Sequence, residues 1–387
     1  MSPISRRVLI SLLSSLLSLS GMAVRAAPIE LTVMTQNLYI GADTDPLLKA
    51  PDTATAVLRA IQAFAQVQAN NFPVRAGAIA SEIKAAGGPL LIGLQEASKI
   101  SGFDISGKPV TLDYADILVK QLAAIGLNYT IAGMHQGSSV SLAALPGFSV
   151  TDQEVVLART GVPGFAVTGS EDHTFTSNFI FSNPAIFPAP ISADRGFVLV
   201  DATLDGVPFQ FVSTHLEAGD LGAPYRPAQA AELTAELNTS NLPQLLVGDF
   251  NAIPASETTN EIRGAGFVDT VGFIYPDAAA GIDKFTCCQA ANLSNESSLL
   301  HNRFDYIFER DFSSILSAFL IGDTPFETVP PLWPSDHAGV VATVAVAATV
   351  AVPEPPSAGI LIVSMLLLLP IVGFGVRPRH RARSTAF

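Results

Sequence analysis

The chain has 387 residues, of which 49% are hydrophobic and 14% charged, and its formal net charge is −13. That is enough apolar material for one large domain or two medium ones. The acidic balance argues against loose binding to nucleic acid or anionic lipid, because the long-range field repels phosphate, but it leaves room for a local site where a divalent cation reverses the sign.

In chain order, Arg6 and Arg7 precede a short, serine-rich apolar run and then small residues at Ala23 to Ala27. That layout is expected of a secretory signal peptide over residues 1–27. Strand-like runs follow, rich in Val, Ile and Phe and partly alternating: "IELTVMTQNLY", "LLIGLQEA", "EVVLART", "FVLVDATL", "VPFQFVSTHLE", "QLLVGDF", "FDYIFER" and "AGVVATVAVA". Helical patterns fall between them: one from Thr53 to Val67 continuing towards "VRAGAIASEIKAAG", then "DYADILVKQLAAIG", then "RPAQAAELTAELN" with Pro227 just inside its start. No fixed-period repeat is evident, which speaks against a solenoid. The mixed order predicts an α+β sandwich with helices covering two sheets, as one catalytic domain over residues 28–350. The stretch "AVTGSEDHTFTSNFIFSNPAIFPAPISADRG" is the least regular. Cys287 and Cys288 are adjacent; a disulfide between them and a pair of buried thiols both fit.

Residues 351–387 join a proline-rich hinge, an apolar segment from Ala358 to Val376, and a tail carrying Arg377, Arg379, Arg381 and Arg383. The segment is close to the roughly 20 residues needed to cross a bilayer, and the arginines favour a cytoplasmic tail. Val352-Pro353-Glu354-Pro355, the apolar segment and the arginine cluster together resemble a PEP-CTERM sorting signal. The resemblance implies transient anchoring in the inner membrane, processing by an exosortase-type enzyme, and delivery to the cell surface, the extracellular matrix or the medium.

Several apolar runs end on polar groups able to hold metal or phosphate: Asn37, Glu96, His215, Asp249 with Asn251, Asp305, and Asp336 with His337. Each alone reads as a turn residue or a structural histidine. "LLVGDFNAIP" is the most unusual, since alternation would put Asp249 and Asn251 on one face of a strand and Phe250 on the other. The ordered set "TQNLY", "LQEAS", "STHLEAG", "VGDFNAIP", "RFDYIF" and "PSDHAGVV", from Thr35 to Val341, resembles the endonuclease/exonuclease/phosphatase family, which includes deoxyribonuclease I.

The resemblance implies a four-layer α/β sandwich and an Mg²⁺-dependent phosphoester hydrolase, with Mn²⁺ able to substitute. Asn37, Glu96 and Asp336 then correspond to the metal site. His337 corresponds to the general base and Asp305 to its partner. Asp249 orients water or serves the leaving group, and His215 and Asn251 donate to phosphate oxygens. A phosphodiesterase or endonuclease is the leading expectation. A sphingomyelinase-like phospholipid phosphodiesterase and an inactive surface-displayed binding module are the alternatives. The substrate is correspondingly a nucleic acid or a phospholipid headgroup. Nucleases of the family often carry an Arg or Tyr contact between the Glu and first His motifs. "EVVLART" offers Arg159 and "ADRGFVLV" offers Arg195 for it, but neither sits in an alignable motif and both read equally well as surface pairs.

Overall fold

The computed structural model describes residues 27–347, apart from Ile105, Ala185 and Pro188. Residues 1–26 of the expected signal peptide and the whole expected sorting signal, with its apolar segment 358–376, lie outside the described residues. No described helix is long and apolar enough to cross a membrane.

Fourteen strands build two sheets: Ile29–Asn37 (β1), Leu91–Gln95 (β2), Lys99–Phe103 (β3), Pro109–Asp113 (β4), Tyr129–Ser141 (β5), Ser149–Arg159 (β6), Phe165–Thr174 (β7), Gly196–Leu204 (β8), Val207–His215 (β9), Gln244–Asp249 (β10), Val268–Asp269 (β11), Asp305–Arg310 (β12), Ser314–Ile321 (β13) and Gly339–Val346 (β14). The first sheet runs β13-β14-β1-β2-β6-β3-β4, with β5 also on β6, and the second runs β11-β12-β10-β9-β8-β7. Each sheet holds one parallel pair, β1 with β2 and β9 with β10, among antiparallel neighbours.

Alternation along the strands produces the layers. Val33, Leu91 and Val156 of the first sheet meet Val200, Phe211, Leu245 and Ile307 of the second in an apolar layer between the sheets. Their sequence neighbours Met34, Ile92 and Val155 face outward onto helices, as do Val212, Leu246 and Phe308 on the far side. Sheets bearing apolar residues on both faces need cover on both, and helices supply it. Helices Thr53–Ala69 (α1), Phe72–Ala85 (α2) and Tyr114–Ala124 (α3) cover the first sheet, and Arg226–Leu237 (α4) and Glu257–Gly264 (α5) cover the second. The buried face of α1, Ala56, Ala60, Phe64 and Val67, has the i, i+3, i+4 spacing that a helix laid on a sheet requires.

The expected continuous helix from Thr53 breaks at Asn70-Asn71. Asn71 adopts a left-handed φ of 43°, and Pro73 lies in the first turn of α2, where a missing N–H costs nothing. The irregular stretch resolves into β7, an edge strand, and a short hairpin pairing Ile180–Phe181 with Ile191–Ser192. Strands β3, β4, β5 and β13 were not expected. They are short or polar along much of one face, with exposed positions such as Lys99, Thr130 and Ser314, so their apolar signal is weak.

A candidate active site at one end of the two sheets

The register of the second sheet aligns three of the singled-out residues. His215 pairs with Asp249 across β9 and β10, and Asp249 pairs with Asp305 across β10 and β12. The first sheet pairs Asn37 with Gln95, which puts Glu96 one residue beyond it. The sheets are tied here by Gln95, whose amide donates to Ser213 Oγ at 3.0 Å. His215 and Asp249 close β9 and β10, whereas Asp305 opens β12 and Asp336 and His337 precede β14. The site therefore gathers the ends of some strands and the beginnings of their antiparallel neighbours.

His337 is 5% exposed, and its Nδ1 lies 2.8 Å from Asp305 Oδ2. Its Nε2 faces Asp249 Oδ2 at 3.8 Å. Burial opposes a charge on this imidazole, but the carboxylates of Asp305, Asp249 and Asp336 outweigh it and hold the pKa well above the usual value. Asp249, 1% exposed, is pushed up to about 7, first by burial and then by Asp305. One atom of each of Asp249, Asp305 and His337 falls within 4.8 Å of the others.

His215 behaves oppositely. Burial, then Arg195 and His337, hold its pKa well below the usual value, so it is neutral. The Arg195 guanidinium donates to its Nδ1 at 2.9 Å, which places the ring proton on Nε2. The Asn251 amide nitrogen is 3.1 Å from that Nε2, a contact between two donors, and it donates to the Leu216 carbonyl at 3.1 Å. Asp249 Oδ2 lies 3.5 Å from Nε2 as the acceptor on that side. Asn251 lies beyond the end of β10 with a φ of 48°, so it meets Asp249 through a turn instead of by strand alternation. Its backbone N–H donates to Asp249 Oδ1 at 2.8 Å. Phe250 does turn away, into the helix-side cluster. Gly248 has a φ of 147°, and a Cβ there would collide with the Thr214 carbonyl.

On the first sheet, the Asn37 amide donates to Glu96 Oε1 at 3.2 Å and to Asp249 Oδ2 at 3.1 Å, while its own oxygen accepts from Tyr39 N–H. Asn37 thereby spaces two carboxylates. Glu96 is half-buried with a φ of 50°, and the Ile40 N–H donates to its Oε2 at 2.6 Å. Asp336 is pushed up to about 7, chiefly by burial and, among charges that raise it, by Glu96. Its Oδ1 is buried without a hydrogen-bond partner. A buried carboxylate oxygen without a partner, under the charge of a second carboxylate, is a poor arrangement without a cation, and hard oxygen donors suit a divalent ion. Glu96 and Asp336, with Asn37 beside them, therefore fit a hard divalent metal.

Asp152, Glu154 and Arg75 carry no sequence signal, and Arg195 is placed by the structure alone. Arg195, with its side chain 14% exposed, donates to Asp152 Oδ2 at 2.7 Å and lies 3.7 Å from Glu154 Oε1, so it is no surface pair. Both Glu154 oxygens are buried without hydrogen-bond partners. Asp152 and Glu154 reach the site because β6 runs antiparallel to β2. Arg159 is elsewhere and donates to the Gly87 and Gly88 carbonyls beyond the end of α2. The fully buried Arg75 donates to the carbonyls of Leu38, Tyr39, Asn70 and Pro334, tying the turn after Asn37 to the segment before Asp336. The Cys287 and Cys288 sulfurs are in contact, and Cys288 Sγ lies 3.7 Å from His337 Nε2.

With this geometry in place, residues 35–337 match the model of the Endonuclease/Exonuclease/phosphatase family. The chain belongs to that family. Three similar solved structures agree on the fold. An endonuclease/exonuclease/phosphatase family protein from Bacteroides thetaiotaomicron is 18% identical at a TM-score of 0.52, over 83% of this chain and 99% of that one. The human Nocturnin catalytic domain with bound sulfate anion is 18% identical at 0.50, over 83% and 94%. A family protein from Leptotrichia buccalis is 16% identical at 0.50, over 81% and 99%. No curated protein matches by sequence. The α+β sandwich of two mixed sheets is thus the fold of this family.

Proposed function

We propose that this protein is a divalent-metal-dependent phosphoester hydrolase of the phosphodiesterase or nuclease kind, working with Mg²⁺ or Mn²⁺ outside the inner membrane. The observation that carries the reading is the buried row Asp305–His337–Asp249, set beside Glu96, Asn37 and Asp336. A cation held by Glu96 and Asp336 would neutralise phosphate charge and favour ionisation of a water.

The chain's own residues supply the rest. Asp305 holds the His337 ring through Nδ1, leaving Nε2 to take a proton from an attacking water on the side of Asp249. The three carboxylates that raise the His337 pKa work against a base at neutral pH. A cation held by Asp336 would offset part of that charge. Neutral His215, with its proton on Nε2, and the Asn251 amide N–H not held by the Leu216 carbonyl are suited to donate to phosphate oxygens.

The expected signal peptide and sorting signal support the exported setting. Rates on bis-p-nitrophenyl phosphate, plasmid DNA, RNA and sphingomyelin, each with Mg²⁺ and with a chelator, test the reading. Chelator-sensitive turnover of at least one is expected, and calorimetry that finds no metal binding would favour an inactive binding module.

A further inference from the structure

Beside the site lies a cavity of about 380 Å³, within the range of roughly 300–1,000 Å³ usual for small-molecule sites. Glu96, Asp152 and Arg195 line it, so it shares Glu96 with the candidate metal position and meets His215 through Arg195. Most of the remaining wall is apolar, including Phe64, Val67, Val140, Leu142, Phe148 and Phe179. The cavity opens to solvent on one side and adjoins Glu96, a candidate metal ligand.

We propose that the cavity is a subsite for an alkyl or acyl chain of the substrate, making this an enzyme for amphiphilic phosphoesters. The proposal rests on the phosphoester-hydrolase reading. A chain is favoured over a nucleobase because a base carries several polar edge groups that need partners. Beyond Glu96, Asp152 and Arg195, the wall offers such partners only at Thr44, Ser138 and Ser192, against some eighteen apolar side chains. At about 30 Å³ per water-sized group, the cavity holds on the order of ten methylenes. Glu96 lines both spaces, so a phosphate at the metal site can direct its chain inward without a detour.

Alkyl p-nitrophenyl phosphodiesters from methyl to dodecyl, kept monomeric and assayed with Mg²⁺, test the proposal. The expected result is a kcat/KM that rises by up to about fourfold per methylene and levels near ten carbons. Val140→Trp, and independently Ala63→Phe, should flatten that rise while leaving the methyl ester rate unchanged. A flat series with an active methyl ester, or a thymidine ester preferred above every alkyl ester, would overturn the chain subsite alone. Failure of the methyl ester itself would contradict the hydrolase reading. In that case calorimetry with decyl phosphate reads the cavity separately: saturable binding lost in Val140→Trp supports the subsite, and no binding overturns it.

Discussion

The His337 imidazole is held between two carboxylates, with Nδ1 2.8 Å from Asp305 Oδ2 and Nε2 3.8 Å from Asp249 Oδ2. The first contact is a hydrogen bond and orients the ring; the second is beyond hydrogen-bond reach, and Cys288 Sγ lies 3.7 Å from the same nitrogen. Asp305→Asn keeps the shape but removes a charge that raises the His337 pKa. Its kcat should fall about tenfold or more, and the acid limb of the pH–rate profile should move to lower pH. A profile with an unmoved limb would mean that Asp305 does not set the charge of His337.

Arg195 shields a set of buried acids, with Asp152 and Glu154 against it and His215 taking its proton donor. Arg195→Met leaves Asp152, 2.7 Å away, and the fully buried Glu154 without their shared cation. Urea unfolding at neutral pH should show a loss of about 3 kcal/mol. Adding Glu154→Gln should recover part of it, and simple additivity of the two losses would argue against the pairing.

Glu82 supplies a pH test away from the catalytic row. Burial, then Asp323, pushes it up from 4.5 to about 7. The folded state therefore binds more protons than the unfolded state between those values, so stability falls as pH rises from 4.5 through 7. Glu82→Gln should stabilise the protein by on the order of 2 kcal/mol at pH 8 and have little effect at pH 4. Equal effects at both pH values would show that Glu82 does not titrate abnormally.

Metal binding should be visible without turnover. The unpartnered Asp336 Oδ1 and the adjacent Glu96 gain a cation only in the folded state. Mg²⁺ at about ten times its Kd should stabilise by about 1.4 kcal/mol. Thermal unfolding of Glu96→Ala should show no such rise, whereas an undiminished rise would place the metal elsewhere.

The layers and much of the site were legible because their signals are local. Val33 and Met34, or Leu245 and Leu246, alternate between two apolar layers, and that period is written in neighbouring residues. The polar strand ends stood out because carboxylates and histidines break apolar runs. Asp152 and Glu154 did not stand out, and Arg195 could not be told from a surface pair, since only pairing across distant strands brings them to His215. Arg75 was hidden for a similar reason: it sits in a helical pattern and acts on carbonyls far along the chain. Asn251 was assigned to the correct neighbour by the wrong geometry, because its left-handed backbone follows from the turn after β10.

The most direct test of the central claim is the steady-state rate on bis-p-nitrophenyl phosphate with Mg²⁺, for wild type, His337→Ala and Asp249→Ala. Wild-type turnover should vanish with chelator and return with added metal, and each variant should lose on the order of a hundredfold or more in kcat. Full activity in either variant, or turnover indifferent to chelator, would contradict the account.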